Sequence, residues 1–326
     1  MTPVLDVRNV SVRIRLPGDR LVHAVDDVSV AVEPGEIVAV VGESGCGKTM
    51  LAMSVLGLLP AGAEITSGEV RFGDDDLRRV SPTRMRDIRG REIGMIFQEP
   101  MSSLNPVLTI GRQISEVMER HEGLSRSQAR VRTLELLDLV GIPDAKRRID
   151  QYPHEMSGGM AQRAVIALAI ACKPRLLLAD EPTTALDVTI QAGILRVIDD
   201  LRRQLKMAVV LITHDLGVVS DIADRVMVMY AGRAVEQAGV VDLFAAPQHP
   251  YTLGLLGAVR HPSRTQPRSR LAEIPGIVPT MWAPAASCTF APRCPRAEDD
   301  CRSKLPLLEL KGPAHEAACF HPGPRG

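Results

Sequence analysis

One glycine-rich segment constrains the fold of this chain more than any other feature. The residues Gly42-Glu43-Ser44-Gly45-Cys46-Gly47-Lys48-Thr49 fit the pattern G-x-x-x-x-G-K-[S/T], between the apolar run Ile37-Val38-Ala39-Val40-Val41 and a leucine- and alanine-rich stretch that begins near Lys48. Glycines let backbone N–H groups converge on phosphate oxygens, and a following helix adds the positive end of its dipole. The segment therefore predicts a strand, a phosphate-binding loop and a helix, with Lys48 at the outer phosphates and Thr49 as a Mg²⁺ ligand.

Two acids follow a second apolar run, Leu176-Leu177-Leu178-Ala179. An apolar strand that ends in acids places carboxylates at the carboxyl edge of a sheet, which is where nucleotides bind in open α/β folds. We therefore expect Asp180 to hold Mg²⁺ through water. We expect Glu181 to orient and polarise an attacking water as the general base.

Short apolar runs alternate with helical patterns over the first three quarters of the chain, which predicts an α/β fold with a largely parallel sheet. The stretch from about residue 84 to 160 interrupts this alternation and is predicted to be a mostly helical, inserted subdomain. Within it, Ser125 and Gln128 have the spacing of a capping box, and Gly141 is a plausible helix end. The remaining predicted strands are Val209-Val210-Leu211-Ile212 and Val226-Met227-Val228-Met229, and a helix is predicted from the spacing of Ile190, Ile194, Ile198, Leu201 and Leu205 after Asp187.

The composition changes near residue 245. Thirteen of the 24 prolines lie at or after Pro247, so this tail is predicted to consist mostly of loops and short turns. We expect one domain over residues 1–245 and a C-terminal extension over residues 246–326. The extension holds Cys288, Cys294, Cys301 and Cys319, and in a cytosolic chain such a cluster indicates a metal or iron–sulfur site more than disulfides.

The charge balance and the apolar runs exclude some function classes. Lysine and arginine together number 39, as do aspartate and glutamate, which argues against a partner bound mainly by bulk charge, such as duplex nucleic acid. No apolar run approaches the roughly 18 residues that a membrane span requires. The N-terminus lacks a basic segment followed by an apolar stretch, so no secretory signal is expected and a cytosolic location is the default.

Four further segments resemble, in their order, motifs of the ATP-binding cassette (ABC) ATPases. The matches are Gln98 in Phe97-Gln98-Glu99-Pro100 to the Q-loop, Met156-Ser157-Gly158-Gly159-Met160-Ala161-Gln162-Arg163 to the signature sequence, Ala185-Leu186-Asp187 to the D-loop, and His214 to the switch histidine. The resemblance covers residues 4 to about 240. It implies a P-loop NTPase fold of the ABC ATPase type, with the helical subdomain at about 84–160, and ATP with Mg²⁺ as ligands.

The resemblance also implies a function for each matched residue. Ser157, Gly158 and Gly159 would close over the ATP of a partner subunit, as a small-residue turn at a helix N-terminus can bind an anion. Gln98 would contact Mg²⁺ and the water, and His214 would donate a hydrogen bond to the γ-phosphate. Asp187 would bridge two subunits. Each of these features also has a simpler interpretation when it is taken singly. The Ser157-Gly158-Gly159 segment could be a flexible turn and Gln98 an exposed glutamine. His214 could be a structural histidine, and Asp187 a plain helix N-cap.

The family's usual adenine contact has no match here. It is an aromatic residue just after the first strand, and alignment places Ile14 or Arg15 at that position. Arg15 could stack through its guanidinium plane, and His23 is the nearest ring. The sequence leaves the adenine contact unassigned.

The tail resembles the C-terminal extension of oligopeptide/dipeptide importer ATPases. The matching segments are Gln248-His249-Pro250-Tyr251-Thr252, Glu273-Ile274-Pro275-Gly276 and Cys288-Thr289-Phe290-Ala291-Pro292-Arg293-Cys294-Pro295, with Cys301 and Cys319. The resemblance implies a [4Fe–4S] cluster on the four cysteines. Because the spacing lacks the paired C-x₂-C of zinc ribbons but four thiolates suit either metal, Zn²⁺ and free thiols remain alternatives.

The subfamily resemblance implies an ATP-hydrolysing subunit that powers peptide uptake, peripheral to the cytoplasmic face of the inner membrane. Its implied partners are a second ABC ATPase subunit, two membrane-spanning permease subunits and, indirectly, an extracytoplasmic substrate-binding protein. The alternative is a soluble ABC ATPase that acts on nucleic acid or ribosomes. The balanced charge and the single cassette disfavour that alternative, and no nucleic-acid partner is expected.

Overall fold

The computed structural model describes residues 2–184, 187–259 and 274–323. The chain forms two compact units that interleave along the sequence. The first unit consists mainly of Arg79–Ile212, with Val32–Glu36; the second consists of Leu5–Ala31, Ile37–Arg78 and Thr213–Gly326. Among the described helices, none is both long enough and apolar enough to cross a membrane.

The described part of the chain contains both strands and helices. The strands are β1 (Leu5–Leu16), β2 (Arg20–Val32), β3 (Ile37–Val41), β4 (Ala63–Phe72), β5 (Asp75–Asp76), β6 (Ile93–Ile96), β7 (Leu176–Asp180), β8 (Ala208–Thr213), β9 (Arg225–Tyr230), β10 (Arg233–Gly239), β11 (Glu309–Gly312) and β12 (His315–Ala317). The helices are α1 (Lys48–Leu56), α2 (Pro82–Arg91), α3 (Pro100–Ser103), α4 (Ile110–Glu122), α5 (Arg126–Leu139), α6 (Ala145–Arg148), α7 (Gly158–Ala169), α8 (Val188–Leu205), α9 (Leu216–Ile222), α10 (Val240–Ala245), α11 (Pro250–Val259) and α12 (Asp299–Ser303).

The first unit places helices around three parallel strands in the order β8-β7-β6. Every residue of β7 and β8 is buried, which explains why these strands are continuous apolar runs rather than alternating ones. The stretch predicted to be helical contains α2 to α6, and α5 begins with the predicted Ser125–Gln128 capping box. It also contains the unpredicted strand β6, which pairs with β7.

The second unit contains an antiparallel sheet in the order β2-β1-β4-β5 and the strands β11-β12-β10-β9-β3. Among the described strands of this unit, β3 and β9 are parallel neighbours, whereas β9, β10, β12 and β11 pair antiparallel. The prediction of a largely parallel arrangement is therefore wrong for this part of the described chain. The physical reason is that β1 and β2 are half-buried strands with alternating exposure, which a search for continuous apolar runs overlooks.

Over its described residues, the tail consists mostly of loops and short turns, as predicted, with four exceptions: α11, α12, β11 and β12. The helix α11 opens the tail, and the short strands β11 and β12 join β10. The buried carboxylate of Glu236 in β10 accepts hydrogen bonds from the backbone N–H groups of Gln248 (2.6 Å) and His249 (2.9 Å). It also pairs with His315 Nε2 at 2.7 Å, so one side chain connects β10, the start of α11 and β12.

Candidate functional site

The predicted phosphate-binding loop joins β3 to α1, and its glycines have conformations that other residues rarely adopt. The φ angles are +155° at Gly42, +79° at Gly45 and +105° at Gly47. A Cβ atom at Gly42 would lie 2.2 Å from the carbonyl oxygen of Met229, and one at Gly47 would lie 2.2 Å from that of Ala24. These contacts explain why glycine is required at both ends of the loop.

Lys48 begins α1 and lies inside the loop, where only 5% of the residue is exposed. Its ammonium group donates hydrogen bonds to the carbonyl oxygens of Gly42 (2.8 Å) and Glu43 (3.0 Å). Thr49 follows in the first turn of the helix and is half-buried. Backbone N–H groups, an ammonium group, a hydroxyl and a helix N-terminus form a donor set that fits a polyphosphate.

The thiol of Cys46 is fully buried in the same loop, 3.7 Å from the Lys48 ammonium nitrogen. Burial raises the pKa of Cys46, although Lys48 acts in the opposite direction. A protonated, buried thiol behaves as a small apolar side chain, and redox-sensing thiols are usually exposed. This environment favours a packing function for Cys46.

In the first unit, the structure brings Gln98 and Glu181 together. The amide nitrogen of Gln98 donates to Glu181 Oε2 at 3.1 Å, and the hydroxyl of Thr184 donates to the same oxygen at 2.7 Å. Two donors on one carboxylate oxygen orient the carboxylate. Glu181 also has φ of +47°, a left-handed conformation that is uncommon outside glycine and is enriched at functional sites.

Asp180 is the last residue of β7 and is 2% exposed, so its predicted position at the carboxyl end of a strand is observed. Thr184 is a contact of Glu181 that the sequence analysis missed. A hydroxyl three residues after the acid was the available signal, because Glu181 and Thr184 close a turn with a backbone hydrogen bond of 3.2 Å. The two acids at the end of β7 are therefore followed by a turn in which Thr184 donates hydrogen bonds to Glu181.

The Ser157-Gly158-Gly159 turn lies at the start of α7. Ser157 is the N-cap, and its hydroxyl accepts a hydrogen bond from the backbone N–H of Met160 at 3.4 Å. Ser157 and Gly158 are exposed, and α7 has 12 residues. An exposed N-terminus of a long helix is available to an anion from outside this unit.

Asp187 and His214 are both exposed. Asp187 is at the N-cap of α8, but among the described residues its carboxylate makes no capping hydrogen bond. Ala185 and Leu186, the rest of the predicted D-loop, lie outside the described residues. His214 lies between β8 and α9, and the next residue, Asp215, caps α9 by accepting from the N–H of Gly217 at 2.8 Å. The functions of Asp187 and His214 stay predictions.

The surroundings of the unassigned adenine contact include tail residues. Ile14 and Arg15 lie near the end of β1. The backbone N–H of His23 in β2 donates to the carbonyl oxygen of Met281 at 2.8 Å. The guanidinium of Arg20 lies 5.5 Å from the ring centroid of Trp282, an aromatic residue that the sequence analysis did not consider.

The four tail cysteines line one cavity in the second unit, together with the ring of Phe290. The backbone N–H of Cys288 donates to the carbonyl oxygen of Cys301 at 3.1 Å. Burial raises the pKa of the Cys288 and Cys301 thiols and raises the pKa of Cys319 to about 11. Four cysteines around one cavity are the type of donor that binds iron–sulfur clusters and thiophilic metals.

A second set of metal-binding side chains overlaps this cavity. Asp300, Cys301 and His321 each place one possible ligand atom within 4.8 Å of those of the other two. Within the described part of the chain, no other set of three or more His, Cys, Asp or Glu side chains has ligand atoms this close together. The His321 ring and the Asp300 carboxylate are 3.0 Å apart. The set uses one cysteine, so it differs from the four-cysteine site that the sequence predicts.

Two family models match the chain. A model described as "ABC transporter" matches residues 25–184, and a model described as "Oligopeptide/dipeptide transporter, C-terminal region" matches residues 235–301. The first match includes the glycine loop, Gln98, the Ser157 turn and Glu181. The second includes α11 and the first three tail cysteines.

Curated relatives are similar over nearly the whole chain. A probable peptide ABC transporter ATP-binding protein of Sinorhizobium fredii is 53% identical, covering 97% of this chain and 94% of the relative. The dipeptide transport ATP-binding protein DppD of Bacillus subtilis is 48% identical (98% and 95% covered), and DppD of Escherichia coli is 46% identical (92% and 91% covered).

Solved structures are similar over the cassette. A dimeric ATP-binding cassette in a post-hydrolysis state, bound to ADP and phosphate, has a TM-score of 0.65 and 27% identity, covering 72% of this chain and 98% of that chain. The protein cbiO1 of Clostridium perfringens, part of an ABC transporter complex, has a TM-score of 0.63 and 26% identity, with 75% and 92% covered.

Proposed function

The chain belongs to the family of ABC transporter ATP-binding proteins, and from this premise we propose that it hydrolyses ATP to power the uptake of peptides through an ABC importer. The observation that carries the proposal is the extent of the similarity. Relatives named for peptide or dipeptide transport are 46% to 53% identical, and the similarity includes the C-terminal region as well as the glycine loop.

The glycine loop binds the triphosphate of ATP. Its N–H groups and the N-terminus of α1 bind the phosphate oxygens, and Lys48 moves from the loop carbonyls to the outer phosphates. Thr49, Gln98 and, through water, Asp180 would hold Mg²⁺. When bound, Mg²⁺ offsets the negative charge of the phosphate oxygens during transfer.

Glu181 is the general base of the hydrolysis. It accepts a proton from the attacking water, whose oxygen forms the new bond to the γ-phosphorus as the bond to ADP breaks. The hydrogen bonds from Gln98 and Thr184 orient its carboxylate for this task. His214 donates a hydrogen bond to the γ-phosphate.

A second ATPase subunit completes each site. The exposed Ser157-Gly158-Gly159 turn closes over the ATP that the partner holds, and Asp187 bridges the two subunits. ATP binding therefore favours a closed pair, and hydrolysis lets the pair open. The partner is a different, homologous chain or a second copy of this one.

The remaining partners follow from the importer assignment. Two permease subunits span the membrane, and an extracytoplasmic binding protein delivers the peptide. We place the chain at the cytoplasmic face of the inner membrane as a peripheral subunit. Residues 1–245 form the nucleotide-binding domain, and its helical subdomain, at about 84–160, transmits the motion to the permeases near Gln98. Residues 246–326 form the C-terminal extension.

The extension holds a [4Fe–4S] cluster on Cys288, Cys294, Cys301 and Cys319. The support is that all four cysteines line one cavity. A single zinc ion at about 2.3 Å from each thiolate requires sulfur atoms roughly 4 Å apart. In the described residues, the set of side chains whose ligand atoms lie within 4.8 Å of one another contains only one of these cysteines. The wider spacing of the four sulfur atoms favours a larger cluster over one zinc ion.

Transport into vesicles tests the proposed function. The chain is reconstituted with its partner ATPase, the permeases and the binding protein, and uptake of a labelled dipeptide is measured. We expect accumulation that requires MgATP and stops with Glu181→Gln in this chain. Co-sedimentation with ribosomes or DNA, without ATP-dependent uptake of peptides, would support the nucleic-acid alternative instead.

A further inference from the structure

A buried arginine of the tail contacts the phosphate-binding loop within the second unit. The side chain of Arg293 is 5% exposed. Its Nη1 donates to Glu43 Oε2 at 2.7 Å, and its Nη2 donates to Glu43 Oε1 at 3.0 Å. Two parallel hydrogen bonds between a guanidinium and a carboxylate fix the orientation of both groups. The side chain of Glu43 is therefore held by a residue some 250 positions away in sequence.

The guanidinium of Arg293 is itself fixed by the tail. Its Nε donates to the carbonyl oxygen of Pro275 at 2.8 Å, and Nη2 also donates to those of Ile274 (3.1 Å) and Gly276 (3.2 Å). The hydrogen bonds with Glu43 raise the pKa of Arg293 further above its ordinary value, so the group stays charged. Arg293 is thus a rigid, permanently cationic contact.

A second tail residue holds the backbone of the same loop residue. The hydroxyl of Tyr251 in α11 accepts a hydrogen bond from the N–H of Glu43 at 2.8 Å. The ring of Tyr251 is fully buried and lies 4.7 Å from the ring of Tyr230 and 5.4 Å from that of Phe290. Glu43 is therefore held at both its side chain and its backbone.

Glu43 places a negative charge in a loop whose ligand is strongly negative. Without a cation beside it, this carboxylate would repel the phosphate groups of a nucleotide in the loop, because two negative charges repel more strongly the closer they lie. Arg293 offsets the charge. The bidentate pairing also turns the carboxylate toward the tail.

We propose that Arg293 is a positioning residue for nucleotide binding, which acts through Glu43 and is assisted by Tyr251 to keep the loop in its phosphate-binding form. The proposal rests on the nucleotide site of the proposed function and extends it, because it gives the tail an effect on ATP affinity. Arg293 acts through its hydrogen bonds with Glu43 and not through a contact of its own with the nucleotide. Its effect must therefore depend on Glu43.

A double-mutant cycle on the full-length chain tests this dependence. The dissociation constant of MgADP, which is not hydrolysed, is measured by calorimetry for the wild type, Arg293→Ala, Glu43→Gln and the double variant. We expect Arg293→Ala to raise the dissociation constant about tenfold in the wild-type background, and less than about threefold when Glu43 is already glutamine. Arg302→Ala, an exposed arginine of the same tail, is the control and should change affinity less than twofold.

A second variant covers the case in which Arg293→Ala does not fold. Tyr251→Phe keeps the packed ring and removes only the hydroxyl. We expect faster hydrogen exchange of the Glu43 amide in a peptide covering residues 41–48, together with weaker MgADP binding. Unchanged exchange and unchanged affinity would contradict the proposal.

The outcomes separate this proposal from the proposed function. An equal loss of affinity in both Glu43 backgrounds would show that Arg293 merely stabilises the tail, and no loss in either would exclude any effect on the nucleotide. Both results overturn the proposal and leave the ATPase assignment intact. A wild-type chain that does not bind MgADP would instead refute the nucleotide site itself.

Discussion

At the scale of single residues, the conformation of Glu181 supports its assignment as the base. It combines a left-handed backbone with two hydrogen-bond donors on one carboxylate oxygen. Backbone strain of this kind persists where the surrounding structure holds a residue in place, and it clusters at functional sites. The assignment leads to a direct prediction.

Replacement of the base should separate binding from hydrolysis. Glu181→Gln keeps the size of the side chain and removes its ability to accept a proton, so we expect ATP turnover to fall at least about 100-fold while MgATP affinity stays within about twofold. Turnover of the assembled transporter and nucleotide binding are measured in parallel. Glu135→Gln, an exposed carboxylate of α5, is the control; turnover near the wild-type rate in Glu181→Gln would exclude Glu181 as the base.

His249 should make the stability of the fold depend on pH. Burial lowers its pKa to about 3, and the imidazole accepts a hydrogen bond from the Tyr251 N–H at 3.1 Å. In the unfolded chain its pKa is about 6.5, so between these values only the unfolded chain binds the proton. This contribution to stability is present above about pH 6.5 and is lost as the pH falls, by up to about 1.4 kcal/mol per pH unit.

Chemical unfolding between pH 7 and pH 5, above the ordinary range of carboxylates, measures this slope. His249→Gln keeps a hydrogen-bond acceptor but does not titrate, so the variant should lose stability less steeply than the wild type as the pH falls. Equal slopes for the two proteins would show that His249 does not remain neutral in the folded chain.

The sequence predicts the chemistry of individual residues well where a motif fixes the local backbone. The conformation of the loop from Gly42 to Thr49 follows from its glycines. The contacts of Glu43 with Arg293 and Tyr251 were not predictable, because they join residues that are distant in sequence and no local pattern links them. Thr184 was missed for a different reason, since a threonine in a turn has no distinctive spacing.

At the scale of elements, close contact between β6 and α7 connects two parts of the proposed site in the first unit. Gly94 in β6 faces the carbonyl oxygen of Ala169 in α7, and a Cβ atom there would lie 2.2 Å from it. The strand leads toward Gln98, and the helix begins at the Ser157 turn. A side chain at position 94 would therefore push the strand and the helix apart.

Two glycine-to-alanine substitutions should have opposite effects. Gly94→Ala pushes β6 and α7 apart and should reduce the free energy of unfolding by about 1–3 kcal/mol. Gly193→Ala in α8 meets only the end of the Arg163 side chain, at 3.3 Å, so its higher helix propensity should leave stability unchanged or raised by up to about 1 kcal/mol. Thermal unfolding compares the two, and equal effects would contradict the close packing of β6 on α7.

Elements with continuous burial were predictable, and elements with mixed burial were less so. The strands β3, β7, β8 and β9 coincide with the predicted apolar runs to within one residue at either end. Strand β6 has only four residues and lies between helices, so no run marked it. The antiparallel pairing of β1 and β4 depends on contacts between segments that are far apart in sequence, which periodicity cannot reveal.

At the scale of the whole molecule, two proposals concern the tail. Its cysteines line one cavity, and Arg293, between two of them, contacts the glycine loop. The tail therefore combines a proposed cofactor site with a proposed effect on nucleotide affinity. The composition predicted a separate extension, but it gave no indication of the Arg293 contact.

The cluster should give the protein a colour that depends on the tail cysteines. Protein purified without oxygen should absorb near 400 nm, roughly where [4Fe–4S] clusters absorb, and Cys294→Ser should lose most of this absorbance and its bound iron. Cys172→Ala, a buried cysteine of the first unit, is the control and should keep both. A colourless, iron-free wild type would exclude the cluster, and one zinc ion per chain would favour the alternative.

The central claim is that each ATP lies between the glycine loop of one subunit and the Ser157 turn of another. The most direct measurement is a cryo-EM structure of the assembled transporter that carries Glu181→Gln, with MgATP bound. The account predicts that the Ser157 turn of this chain lies within hydrogen-bonding distance of the γ-phosphate held by the partner's glycine loop. A closed assembly in which ATP occupies the loops while the Ser157 turn remains in solvent would contradict it.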